Sequence, residues 1–155
     1  MASFIPIISE ILPMIMPAST RVTSADEVSR AEATSDDAVI EQAAVVDQCD
    51  SMCASVLTTR PKCSSSIRHN SEQDAIIYAV SGTGVLIVKE GFDDTLKRHT
   101  IKPGGFAFIP AWTEHRIENE SDVDVVWVVT KSGPRPVGAV LQDWGGDEVL
   151  EAKKA

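Results

Sequence analysis

From residue 52 onward the chain is built of short runs in which apolar and polar positions alternate. MCASVLTTR (52–60), AIIYAVSG (75–82), GVLIVKEG (84–91), LKRHTIK (96–102), GFAFIP (105–110) and DVVWVVT (124–130) are each rich in β-branched or aromatic residues. Gly, Pro, Asn or Asp punctuates them at spacings of about ten residues, a rhythm that predicts an antiparallel all-β barrel or sandwich rather than alternating β and α units. SGTG (81–84) and EGFDDT (90–95) read as hairpin connections. GAVLQDWGG (138–146) reads as a closing strand with Trp144 over the barrel end, and EVLEAKKA (148–155) as a frayed helical turn.

The pattern before residue 52 is different. Ser24 to Asp50 is acidic and rich in Ala, Ser and Thr, so it buries little apolar surface and is expected to be loop or loosely docked chain. TRVTSADEV (20–28) predicts a short strand and then a helix start, with Ser24 and Glu27 as a capping box. The opening MASFIPIISEILPMIMPAST is apolar, but its first basic residue is Arg21, and Pro6, Pro13 and Pro17 interrupt any helix. It fits neither a secretory signal nor a membrane span, and it reads as a tail lying on the barrel or on a second subunit. The expected organisation is therefore an extension over 1–50, partly disordered or docked on a partner subunit, a barrel over 51–146 and a tail over 147–155.

Charge and cysteine usage narrow the partners. A net charge of −9 over 155 residues, with no basic stripe, argues against nucleic acid and polyphosphates, whose capture needs clustered Lys and Arg. Cys49, Cys53 and Cys63 cannot all pair within one chain, which points to reduced thiols and a cytoplasmic setting. Cys49-x3-Cys53 lacks the second ligand pair of a zinc site. The chain has three histidines, and His99 sits in the polar KRHT run as a solvated side chain.

His115 lies in KPGGFAFIPAWTEHRIEN (102–119), where Gly104, Pro110, His115 and Asn119 fall at the spacings G-x5-P-x-G-x2-H-x3-N and Trp112 replaces the middle glycine. That segment resembles the second motif of the cupins, and the chain is similar to their small single-domain, RmlC-like members over roughly residues 52–145. The resemblance implies an all-β double-stranded β-helix, a jelly-roll barrel, with an irregular and partly helical N-terminal extension. The family's first motif, G-x5-H-x-H-x(3,4)-E-x6-G, is degenerate here. With Gly82 as its last glycine, the glutamate position falls on Ala75. The shorter spacing then puts His69 and Ser71 at the two histidine positions, and the longer one puts Arg68 and Asn70 there. Strand side chains alternate faces, so the motif supplies at most one imidazole in either register.

The resemblance implies a metal set of His69, Glu72 and His115, with Gln73 as a substitute ligand, holding one divalent Fe, Mn, Ni or Zn. A barrel that holds no metal is the alternative. His115 is also a candidate general acid or base. Candidate pocket residues are Arg68, Asn70, Tyr78, Phe108, Trp112 and Trp127, with Arg68 or Arg116 able to meet an anionic group bidentately. Two function classes follow. One is a small cupin that takes a carboxylated or aromatic metabolite as an isomerase, decarboxylase, cyclase or dioxygenase. The other is a non-catalytic ligand-binding or scaffold barrel that has lost its metal. A homodimer paired through edge strands or by exchange of N-terminal segments is expected, with no nucleic acid and no membrane span.

Overall fold

The computed structural model describes residues 19–36 and 38–149. Eleven strands form two antiparallel sheets among these residues: β1 (Ala33–Asp36), β2 (Val39–Val45), β3 (Met52–Thr59), β4 (Arg68–His69), β5 (Ala75–Ser81), β6 (Gly84–Lys89), β7 (Leu96–Ile101), β8 (Phe106–Ile109), β9 (Glu114–Glu118), β10 (Val125–Ser132) and β11 (Ala139–Val140). One sheet has the order β1-β2-β3-β10-β5-β8 and the other β11-β4-β9-β6-β7. Strands adjacent in sequence often lie in different sheets, which is the jelly-roll arrangement expected of this chain.

Alternation decides which side chains enter the space between the sheets. Along β3, Cys53, Ser55, Leu57 and Thr59 are buried in turn. On β10 the same parity buries Val125, Trp127, Val129 and Lys131, and on β5 it buries Ala75, Ile77 and Ala79. From the opposite sheet come Leu86 and Val88 of β6 and His115 and Ile117 of β9, paired as Leu86 with Ile117 and Val88 with His115. Val39, Leu57, Ile77, Leu86, Ile109, Ile117 and Trp127 belong to one continuous apolar cluster.

SGTG is not a hairpin. β5 pairs with β8 and β10, whereas β6 pairs with β7 and β9, so the chain crosses here from one sheet to the other. Both glycines are required at the crossing. Gly82 has φ +74°, and a Cβ on Gly84 would lie 2.1 Å from the buried Trp127 ring. EGFDDT does join a hairpin, β6 to β7.

The capping box forms as expected. Ser24 Oγ accepts from the Glu27 N–H at 3.2 Å, the Glu27 carboxylate accepts from the Ser24 N–H at 3.0 Å, and α1 (Ala25–Arg30) follows. No strand precedes it among the described residues. The expectation of a loosely docked segment up to residue 50 needs correction, since β1 and β2 extend the larger sheet and Val39 joins the core. The barrel wall thus begins near Ala33 rather than at 51. The apolar opening segment and the final residues lie outside the described residues. No described helix is long and apolar enough to cross a membrane, and Cys49, Cys53 and Cys63 are free thiols.

Candidate functional site

Between the sheets lies a hollow of about 30 Å³ with an apolar floor of Leu57, Ile77, Ile109, Ile117 and Val129. Six polar side chains enter it: Glu41 from β2, Ser65 and Asn70 from the flanks of β4, Arg68 from β4, His115 from β9 and Lys131 from β10. The volume exceeds the ~10–15 Å³ one water needs, so the hollow suits waters or a very small ligand.

His115 is 5 % exposed. Its Nδ1 lies 2.9 Å from the Thr113 carbonyl, which can only accept, so Nδ1 carries the proton and the Nε2 lone pair is left free. Burial pushes its pKa down to about 4, the Thr113 carbonyl opposes that, and Arg68, Lys131 and His69 push it further down. Near neutrality His115 is therefore an uncharged imidazole.

Lys131 is 8 % exposed, and no side-chain hydrogen bond or ion pair of its Nζ occurs among the described residues. Burial pushes its ammonium pKa down, Glu41 partly restores it, and Arg68 lowers it again. The nearby Glu41 carboxylate accepts instead from Ser55 Oγ at 2.8 Å. Arg68 faces His115 across the β4–β9 pairing, and its buried Nε has no acceptor. The hollow therefore holds one guanidinium, one lysine amine whose pKa burial lowers, and one carboxylate.

The longer motif spacing describes this chamber, because Arg68 and Asn70 point into it and His69 points away. His69 Nδ1 accepts from the Ser71 N–H at 3.0 Å, its Nε2 lies 3.8 Å from a Glu148 oxygen, and its ring sits 5.1 Å from that of Trp112. Glu72 is exposed. Gln73 spends both ends of its amide on a loop, donating to the Arg135 carbonyl at 2.7 Å and accepting from the Val137 N–H at 2.8 Å. The expected set of His69, Glu72 and His115 is thus not brought together, and no cluster of three or more His, Cys, Asp or Glu able to hold a metal occurs among the described residues.

The other candidates are dispersed. Trp127 is fully buried under Gly84 in the core. Tyr78 and Phe108 lie on the outer face of the larger sheet, where Tyr78 stacks on Phe106 at 4.6 Å. Arg116 faces outward and pairs with Glu118 at 2.6 Å, while His99 is exposed on β7. Trp112 lines a separate groove of about 520 Å³ with Ser71, Glu72, Gln73, Ser132, Gly133 and Val137. It has φ +63°, the left-handed conformation a glycine takes without strain, which explains the glycine at this place in the motif. The motif's Asn119 is a tie rather than a lining residue. It is 2 % exposed, donates to the carbonyls of Thr59 at 3.0 Å and Val123 at 2.7 Å, and accepts from the Ser121 N–H at 2.9 Å.

Sequence reasoning missed Glu41, Ser65 and Lys131. Lys131 carried a signal, since it shares strand parity with Val125, Trp127 and Val129, whereas β2 alternates too little to mark Glu41.

Residues 55–131 match the cupin domain family. No curated protein matches the chain by sequence. Among solved structures, an oxalate decarboxylase mutant of Bacillus subtilis superposes with TM-score 0.68 at 15 % identity, covering 76 % of this chain and 32 % of that one. A formate complex of Lactobacillus farciminis oxalate decarboxylase gives TM-score 0.66 at 15 % identity, covering 75 % and 35 %. A third structure, concerned with the Mn(II) centers of the Bacillus subtilis enzyme, gives TM-score 0.67 at 15 % identity, covering 76 % and 32 %. This chain spans about a third of the length of those proteins, and at that identity the likeness is one of fold.

Proposed function

Because the chain belongs to the cupin superfamily, whose jelly roll encloses a ligand chamber, we propose that its barrel binds a small carboxylate without a metal. The observation that carries this reading is the basic lining of the hollow: Arg68 and Lys131 against Glu41 alone, with the buried Arg68 Nε lacking an acceptor. A buried charged donor without an acceptor is costly, and an anion that enters and accepts from it relieves that cost. Asn70, whose amide can donate, also lines the hollow and would orient the ligand. Oxalate and formate, named with the similarly folded enzymes, have the size and charge the hollow favours.

The residues do not fit a divalent metal. One imidazole and one carboxylate face the hollow, the carboxylate is engaged by Ser55, and the Arg68 guanidinium opposes another positive ion. The decarboxylase and dioxygenase chemistries that need a bound metal are therefore disfavoured against the ligand-binding reading. Calorimetric titration with oxalate tests it. Binding that is lost in Arg68→Met and in Lys131→Met supports the proposal, and wild-type protein that binds neither oxalate nor formate refutes it.

A specific surface also favours a homodimer. The outer face of β5 and β8 exposes Ile76, Phe106 and Phe108 around a half-buried Tyr78, the two phenylalanines at 70 % and 63 %, and β8 is an edge strand. An apolar face beside an unpaired edge is suited to a second copy of the chain.

A further inference from the structure

We propose that Lys131 is a nucleophilic amine that forms an imine with a small 2-oxo acid whose carboxylate is held by Arg68. The inference rests on the carboxylate-binding reading and names the ligand class more narrowly. Its starting point is an arrangement that simple charge balance does not explain. A lysine needed only to neutralise Glu41 would form an ion pair with it, yet the Glu41 carboxylate accepts from Ser55 Oγ and no ion pair joins it to Lys131 Nζ among the described residues. The amine stands in the wall of a hollow that also presents a guanidinium with an unused Nε–H. A carboxylate seated on Arg68 would carry its adjacent carbonyl carbon toward the interior, where Lys131 is the one primary amine of the lining.

The surroundings keep the amine reactive. The charged or titratable groups around it are Glu41 on β2, Cys53 opposite it on β3, Arg68 on β4 and His115 on β9. Burial raises the Cys53 pKa, so the thiol does not compete as a thiolate, and His115 is an uncharged imidazole at neutral pH. Desolvation lowers the ammonium pKa, Glu41 opposes it and Arg68 adds to it, and the net direction is the one a nucleophilic lysine needs.

The step balances without a co-reactant. The Nζ lone pair attacks the carbonyl carbon, a C–N bond forms, and the carbonyl π pair moves onto oxygen. A proton passes from nitrogen to that oxygen to give a carbinolamine. The nitrogen lone pair then expels the hydroxyl, which takes back the proton the ammonium gave to water before the attack and leaves as water. Lysine ammonium and 2-oxo carboxylate thus become a protonated imine and one water, with nothing oxidised or reduced. The Glu41 carboxylate faces the iminium charge and the Arg68 guanidinium faces the ligand carboxylate, so the hollow is nearer to charge balance than when empty.

The experiment incubates the full chain with glyoxylate or pyruvate and cyanoborohydride at neutral pH, then maps modified lysines by peptide mass spectrometry. In parallel, oxalate, which has no ketone or aldehyde, is titrated calorimetrically. The expected result is a reduced adduct on Lys131 ahead of the exposed Lys62 and Lys97, its loss with excess oxalate, and its loss in Arg68→Met. Lys131→Arg keeps the charge and should bind oxalate while giving no adduct at this position. Oxalate binding with no adduct on Lys131 overturns the inference and leaves the carboxylate site standing, whereas absence of both overturns both. An adduct indifferent to oxalate and to Arg68→Met also overturns it, because the amine would then be reacting without the Arg68 clamp.

Discussion

Replacing His115 by asparagine should make the fold less sensitive to acid. In the wild-type protein the imidazole is buried and neutral, with its pKa held from an ordinary 6.5 down to about 4 chiefly by burial. The unfolded chain takes up a proton on this residue below about pH 6.5, while the folded chain refuses it until about pH 4. Across that window the unfolded state binds more protons, so stability falls as pH falls. It levels off below the folded pKa and is unaffected above the unfolded one. The depression converts to about 3 kcal/mol of lost stability, a large share of the ~5–15 kcal/mol available to a domain. Asparagine can keep a donor for the Thr113 carbonyl but cannot titrate, so His115→Asn should lose about 3 kcal/mol less than wild type between about pH 7 and about pH 4. Urea unfolding at a series of pH values measures this, and the comparison is between slopes, so a constant offset from altered packing drops out. A carboxylate ligand beside Nε2 favours the imidazolium, so saturating oxalate should shrink the wild-type acid loss. Equal acid losses in the two proteins would refute the buried neutral imidazole.

Three further outcomes follow from the same geometry. Asn119→Ala strands the partners of one fully buried amide and should cost about 2–3 kcal/mol in urea unfolding while leaving oxalate affinity unchanged, since Asn119 does not line the hollow. Gly84→Ala drives a methyl into the Trp127 ring and should cost at least about 1–3 kcal/mol, visible as a lower Tm and an altered near-ultraviolet tryptophan signal. Phe106→Glu combined with Phe108→Glu changes exposed positions and should leave the Tm near wild type but shift sedimentation from dimer to monomer; an unchanged sedimentation coefficient counts against the β5–β8 face as the interface.

The barrel was legible in the sequence where burial is one-sided. β3, β5 and β10 alternate cleanly because one face packs on the core, and their predicted runs overlap the observed strands closely. β2 was not legible for the opposite reason. Its VIEQAAV is small and half-buried along almost its whole length, so it shows little alternation and reads as an acidic connector until its pairing with β3 is seen. SGTG misled in a different way, because a Gly-rich joint between two apolar runs suits a crossover between sheets as well as a hairpin. Only the partners of β5 and β6 tell them apart.

The site depended on a choice the motif leaves open. Its variable x(3,4) spacing admits two registers, and shifting a strand by one residue exchanges every side chain between the interior and the outside. What decides here is local. β4 has only two residues, and Arg68 is fixed opposite His115 while β11 pairs along the other edge. Immediately afterward Ser71 turns into the left-handed region at φ +50°, its N–H donating to His69 Nδ1 and its carbonyl accepting from the Trp112 N–H at 2.9 Å. That turn holds the buried His69 ring against Trp112, away from the hollow, and leaves Arg68 and Asn70 lining it. The family's place for an imidazole is thus filled by a guanidinium, and Lys131 adds an amine from the facing sheet. On the proposed carboxylate reading, that substitution is what would turn the chamber from a cation site toward an anion site.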